Sequence, residues 1–429
     1  MNAAAFRRTL TVVVIGVVVL AGGLGLLAAS LSAGGGQSAD PAAVRGVGPT
    51  ISALHDAGAT GENVTVGVVD VTGFDADSGT LDGRVTDARA FDSETSVYGG
   101  AGTHGTAAAE TVARVAPDAD LYLATVDSPR GYRRAVEWLV AEDVDVVVAP
   151  VSFYGMPGDG TSAVAEVAAS ATEAGVVFVA PVGNLAQSHW SGRYRAAGNG
   201  TLAFDGNARN YIRGDGRDVT VWLSWDRAHH GQDYTANLYW TDGKRRRLVA
   251  RSSPYPGDGV PNERIVARVQ SGTYYVTVEG PANATGARLE LSSPTHDFQH
   301  VRPAGSLVAP ASARSVLAVG AYDADSGRVE PFSSRGPTFD GRNGVDLVAP
   351  SSPAAADAEG FVGSSAATAY AGGIAALVVD ERPGLPPRAV ERRMETTALD
   401  VGDAGIDPIT GHGRLRPLPA VGVERNATG

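Results

Sequence analysis

Four short runs of apolar, mostly β-branched residues recur along the first half of the chain: VTVGVVD (64–70), DLYLATV (120–126), DVDVVVAPVS (143–152) and GVVFVAPVGN (175–184). Runs this short and this continuously apolar leave no wet face. They predict strands buried on both sides, as in a parallel sheet covered by helices. The segments between them, at 104–115, 130–142 and 161–174, read as helices. Parallel neighbours need a long crossover, and a helix usually supplies it. The alternation therefore predicts an α/β fold built on a doubly wound, mostly parallel sheet. The same signal resumes much later in SVLAVGAYD (315–323) and GVDLVAP (344–350).

From about residue 200 to 295 the periodicity changes. DVTVWLSWD, TANLYWTD, ERIVARVQ, GTYYVTVEG and ARLELSS alternate polar with apolar positions. Such alternation marks antiparallel strands with one wet face, so this stretch is expected to form a β-sandwich-like module inserted in the α/β domain. Trp222, Trp225, Trp240, Tyr274 and Tyr275 are expected to fill its core. A chain of 429 residues can bury one full-sized domain and one smaller module. The expected division is a signal peptide or membrane anchor at 1–33, a linker at 34–48, the α/β domain at 49–199 and 299–418, the β module at 200–298 and a tail at 419–429.

The anchor or signal reading rests on Leu10–Ala29, LTVVVIGVVVLAGGLGLLAA, an uncharged run about long enough to span a bilayer. Arg7 and Arg8 precede it, which directs the rest of the chain out of the cytoplasm. The protein is then held at the membrane if the segment stays and released if it is cleaved. A net charge of −12 argues against a nucleic-acid partner. Lys244 is the only lysine among 35 basic residues. An acidic, arginine-rich surface suits hydration in concentrated salt, and GC-rich coding produces the same bias. With no cysteine, disulfides and thiol chemistry are excluded.

Buried parallel strands present their functional groups at their carboxyl ends. VTVGVVD ends in Asp70, and VVFVAPVGN ends in Asn184. GAGTHGTAAAETVA sets His104 at the head of a small-residue helix, and GSSAATAYAGG opens another with Ser364 and Ser365. Each feature has a plain structural alternative. Gly-Ser-Ser reads as an N-cap, a strand-ending Asp as a turn cap, a lone His as structural and Gly-Asn as a turn. Together they supply an acid, an imidazole, an amide donor and a hydroxyl.

On these residues the chain resembles the subtilisin-like serine peptidases, whose catalytic order is also Asp, His, Ser. Gly-Thr-His-Gly-Thr stands complete at Gly102–Thr106, FSSRGP at 332–337 is followed by GVDLVAP, and TALDVG with GHGRLRP resembles the family's closing segment. Aligning Gly363 and Gly373 with the ends of the serine motif puts the nucleophile at Ser365. The resemblance implies a triad of Asp70, His104 and Ser365, an oxyanion donor at Asn184, and a substrate-lining segment containing Ser152, Phe153, Tyr154 and Gly155. It implies protein or peptide substrates and no organic or metal cofactor. Calcium sites are frequent in the family, but no carboxylate loop here assigns one.

Three departures from the family pattern matter. The acid motif carries one extra residue, DVTG, while an unshifted DSG stands at Asp77–Gly79 in a Gly- and Asp-rich loop. Ala366, Ala369 and Tyr370 replace the usual Met, Pro and His around the serine. No inhibitory pro-domain is legible. These changes leave open a catalytically silent surface or binding protein that keeps the fold. An acid peptidase of the sedolisin type is disfavoured, because that family has Glu where His104 stands and Asp where Asn184 stands.

Overall fold

The structure, a computed structural model, describes residues 47–92, 96–98, 103–197, 200–255, 259–282, 284, 286–353 and 361–423. The apolar run at 10–29, the linker and Gly102 of the histidine motif lie outside these residues. Among the described residues no helix is long and apolar enough to cross a membrane.

The continuously apolar runs all form strands of one sheet. In chain order its strands are β1 (Thr65–Asp70), β2 (Val85–Phe91), β3 (Asp120–Val126), β4 (Val146–Val148), β5 (Val177–Pro181), β16 (Leu317–Tyr322) and β17 (Leu347–Pro350). They lie in the order β17-β16-β5-β4-β1-β3-β2, with every neighbouring pair parallel. Helices α1 (Val47–Asp56), α2 (Thr103–Val115), α3 (Pro129–Ala141), α4 (Ala163–Glu173), α5 (Ser364–Glu381), α6 (Pro387–Thr396) and α7 (Pro417–Val421) complete the α/β domain. From β1 the chain winds outward in both directions, so a crevice opens at the carboxyl end of β1, where Asp70 sits.

Helix α5 explains its own composition. Every residue from Ala366 to Val378 is buried. A Cβ on Gly372 would come within 2.3 Å of Val148 in β4, and one on Gly373 within 2.6 Å of Val115 in α2. Only bare backbone fits between the sheet and α2 at this spacing. The Ala–Gly run is a packing requirement.

The β module comprises β6 (His189–Arg193), β7 (Asn210–Arg213), β8 (Asp218–Trp225), β9 (Thr235–Thr241), β10 (Arg246–Arg251), β11 (Ser253–Pro254), β12 (Asn262–Arg268), β13 (Thr273–Glu279), β14 (Arg288–Ser292) and β15 (Asp297–Phe298). Two antiparallel sheets, β10-β9-β13-β7-β15 and β11-β12-β8-β14-β6, enclose a core that includes Trp190, Phe204, Val221, Leu238 and Val276. Its first strand, β6, starts at His189, ahead of the composition change near 200. Two expected core residues are elsewhere. Val219, Val221 and Leu223 of β8 point inward, so Trp222 lies on the opposite face and packs on Tyr255. Tyr275 is buried outside the inter-sheet core, stacked on Tyr239.

At the sheet's amino edge, opposite Asp70, Asp346 precedes β17 and accepts a hydrogen bond from the Ala318 N–H at 2.7 Å. Asp346, Glu391 and Glu395 each bring a carboxylate oxygen within 4.8 Å of the others, the one grouping among the described residues spaced to hold a cation. Burial, reinforced by Glu391, pushes the Asp346 carboxyl up to about 8. The folded state therefore keeps a proton that the unfolded chain, with its carboxyl near 3.8, gives up. Stability from this group is full below the unfolded value and falls as pH rises towards 8. Asp346→Asn keeps an acceptor for Ala318 and removes the titration. Its melting temperature should match the parent's near pH 4 and exceed it at pH 9; equal temperatures at both pH values would refute the shift.

Candidate active site

Strand β1 carries Asp70 to the crevice with its carboxylate fully buried. A buried carboxylate must be saturated with donors. Oδ2 accepts from His104 Nδ1 at 2.6 Å. Oδ1 accepts from the Thr72 N–H at 2.7 Å and the Thr72 hydroxyl at 2.8 Å. A carboxylate can only accept, so the His104 proton is placed on Nδ1. The Thr72 oxygen in turn accepts from the Gly105 N–H at 3.0 Å, tying the acid turn to the first turn of α2. A Cβ on Gly105 would come within 2.3 Å of the Gly73 carbonyl, so glycine is needed there. The extra residue of DVTG is thus absorbed at Val71, with Thr72 reaching back to the carboxylate. Asp77 is exposed, and its N–H donates to Asp75 Oδ1. It takes no part in holding His104.

Burial opposes the imidazolium form of His104, but the charge and hydrogen bond of Asp70 outweigh it. The pKa lies above the usual histidine value of 6.5. The edge of the ring meets Phe361, with centroids 5.2 Å apart.

Gly363, at φ +131°, is the N-cap of α5 and has no side chain with which to cap it. Neither serine therefore serves as its cap. Ser364 is buried, with its hydroxyl unpartnered among the described residues. Ser365 is partly exposed, and its hydroxyl donates to the Pro150 carbonyl at 3.1 Å. Asp70 and His104 are joined, whereas Ser365 is hydrogen-bonded to Pro150 and not to His104.

Asn184 is exposed and oriented. Its Oδ1 accepts from the Ser364 N–H at 3.0 Å, which leaves Nδ2, next to Gly363, as the remaining donor. Ser334 clamps both flanks of Asn184. Its N–H donates to the Gly183 carbonyl, and its hydroxyl accepts from the Leu185 N–H, each at 2.9 Å.

The model of the subtilase family, Peptidase_S8, matches residues 61–213 and 267–413. The chain belongs to the subtilase family. It is 33% identical to subtilisin E of Bacillus subtilis over 151 residues, 32% of this chain and 38% of that protein, and equally so to subtilisin NAT of the natto subspecies. The match thus spans well under half the length of these curated relatives. Among solved structures, the Clostridium perfringens CspB protease superposes with a TM-score of 0.62 at 18% identity, covering 86% of this chain and 94% of that one. A lanthipeptide protease gives a TM-score of 0.50 at 15% identity over 88% and 92%. These likenesses concern the fold.

The segment expected to line a substrate in this subtilase borders two cavities. The Phe153 N–H donates to the Ala309 carbonyl at 2.9 Å, and its ring meets Tyr132 at 5.0 Å. Burial pushes the Tyr154 phenol up to about 12, against a hydrogen bond with Ser152. Gly155, at φ +71°, lies so close to Trp222 that a Cβ would fall within 2.5 Å of its ring. One cavity of about 50 Å³ includes Ser152, Phe153 and Tyr154 in its wall, with Trp222. Another of about 20 Å³ includes Phe153, Tyr154 and Gly155, with His189 and Glu290.

Sequence reasoning passed over three residues of this site: Thr72, Pro150 and Ser334. Ser334 had a signal, since it sits within FSSRGP, but its partners are about 150 residues away in the chain.

The His104 shift is directly testable. A nuclear magnetic resonance titration should place its midpoint above 6.5. In Asp70→Asn the charge that raises it is gone and burial remains, so the midpoint should drop below the parent's. An unchanged midpoint would separate the two groups electrostatically.

Proposed function

We propose that this subtilase is a serine endopeptidase, with Asp70, His104 and Ser365 as its triad and Asn184 as oxyanion donor. The observation that carries the reading is the saturated Asp70 carboxylate bonded to His104 Nδ1, which leaves Nε2 as the basic nitrogen. In the proposed reaction Ser365 turns from Pro150 towards Nε2 and attacks a peptide carbonyl, while its proton passes to His104. Asp70 stabilises the imidazolium. The carbonyl oxygen becomes an oxyanion that Asn184 Nδ2 and the Ser365 N–H stabilise. His104 then returns the proton to the leaving amine, and water hydrolyses the acyl-enzyme by the same steps in reverse. No step calls on a cofactor. The N-terminal apolar run behind Arg7 and Arg8 supports export, with membrane attachment if that run is retained.

The Ser365–Pro150 hydrogen bond is the observation that favours the second reading, a silent subtilase that binds without cleaving. Fluorophosphonate labelling of the full chain separates them, since only an activated serine reacts. Labelling should be lost in Ser365→Ala and largely kept in Ser364→Ala; the reverse would shift the motif by one residue, and an unlabelled parent would favour the silent reading.

Turnover of a peptide should fall about 10⁴-fold in Asp70→Asn, the loss that a misoriented histidine tautomer produces in a serine protease. Asp77→Asn should change it by no more than about two- to threefold, as for a solvated turn residue. Because His104 must be neutral to accept the proton, kcat/KM should rise with pH through a midpoint above 6.5. Removing the Asn184 amide should cost about 10²–10³ in kcat, the loss known for such a donor in subtilisins themselves.

A further inference from the structure

The face of the β module that looks away from its own core is turned onto the substrate-lining segment. Antiparallel pairing puts Arg264 of β12 opposite Trp222 of β8, and Trp222 opposite Ser292 of β14. Directly opposed residues share a face, so these form one row across the sheet. The Asn262 amide of β12 donates to the Gly155 carbonyl at 3.1 Å, and Trp222 lies against Gly155 itself. The module is therefore fastened to the segment beside Pro150. The 50 Å³ cavity lies at this junction, with Val71 and Phe153 on the α/β side and Trp222, Tyr255 and Arg264 on the module side. Val71 follows Asp70, and the cavity's Val151 follows Pro150, so its wall lies one residue along the chain from each. Residues 214–266, which supply the module's wall, fall outside the family match.

Arg264 is the one arginine that lies over two aromatic rings among the described residues. Arg134, Arg302 and Arg342 each meet an aspartate within 3 Å. The Arg264 guanidinium carbon lies 5.1 Å from the centre of the Trp222 ring and 5.0 Å from that of Tyr255, and the group has no carboxylate or hydrogen-bond partner among the described residues. Neither ring contact occupies the guanidinium N–H groups, so they are available to a carboxylate. Burial also lowers its pKa, so an incoming anion would relieve an uncompensated charge. Asp127 also lines this cavity, on the α/β side.

We infer that Arg264, lying against the Trp222–Tyr255 ring pair, forms a subsite for an acidic side chain of the peptide substrate. The inference rests on the peptidase reading, and it makes the inserted module a determinant of specificity.

Matched blocked peptides differing only by Glu or Gln at one scanned position test it. The unaltered chain should cleave the Glu peptide about tenfold better at one position, the scale of a charge-assisted hydrogen bond. Arg264→Gln should bring that ratio near one, and Arg264→Glu should favour an Arg peptide there. Absence of any Glu preference in the unaltered chain overturns the subsite, whether or not the variants fold. Anisotropy of the same labelled peptides on Ser365→Ala reads binding without turnover. A chain that fails to label with fluorophosphonate yet binds the Glu peptide more tightly would refute the peptidase reading and keep the subsite. One that labels but binds Glu and Gln peptides equally would do the opposite.

Discussion

The organisation of the site depends on one buried carboxylate. Asp70 lies in the parallel sheet with no exposure, where an unsatisfied charge is strongly destabilising. Its three hydrogen bonds bring together the end of β1, the turn at Thr72 and the head of α2. The Thr72–Gly105 bond then fixes the distance between turn and helix, and the absence of a side chain at Gly105 makes that distance attainable. Local saturation and imidazole orientation are one arrangement. A change that loosens either disturbs both.

The second constraint is the closeness of α5 to the sheet. Gly372 and Gly373 let its backbone approach β4 and α2, and the same approach carries Ser365 to Pro150 and the Ser364 N–H to Asn184. Tyr370, where the family usually has histidine, is buried against this packing and its phenol is pushed far up by burial. The substitution acts on the core and leaves the first turn of the helix free to face the crevice.

The buried strands were legible because continuous apolar runs have few alternatives, and β1, β3, β4, β5, β16 and β17 fall within the runs that announced them. Strand β2 was not legible. It is an edge strand whose sequence, VTDARAF, mixes charge with apolar residues and is nowhere fully buried. Asp70 and His104 were legible from strand ends and a short motif. Thr72 was hidden by the extra residue of DVTG, because hydrogen bonds respond to reach in space and motifs to spacing in sequence. The Ser365–Pro150 bond was equally hidden, since its partner is a backbone carbonyl that no side-chain pattern marks.

The β module shows where periodicity stops short. Alternation in β8 correctly separates Val219, Val221 and Leu223 from Thr220, Trp222 and Ser224, but it reports only two faces and not what each face meets. A face that meets solvent and one that meets another domain both tolerate polar residues, provided their hydrogen bonds are satisfied. Trp222 was the discordant residue, too large and apolar for a wet face. Its packing on Gly155 resolves the discord: the second face is an inter-domain surface, with Trp222 both against backbone and in the wall of the 50 Å³ cavity. Asn262 makes the same point in polar form, reaching the Gly155 carbonyl of the substrate-lining segment. A module fastened in this way cannot shift without moving Tyr154 and Gly155, so the shape of the crevice is set jointly by the family fold and by residues outside the family match.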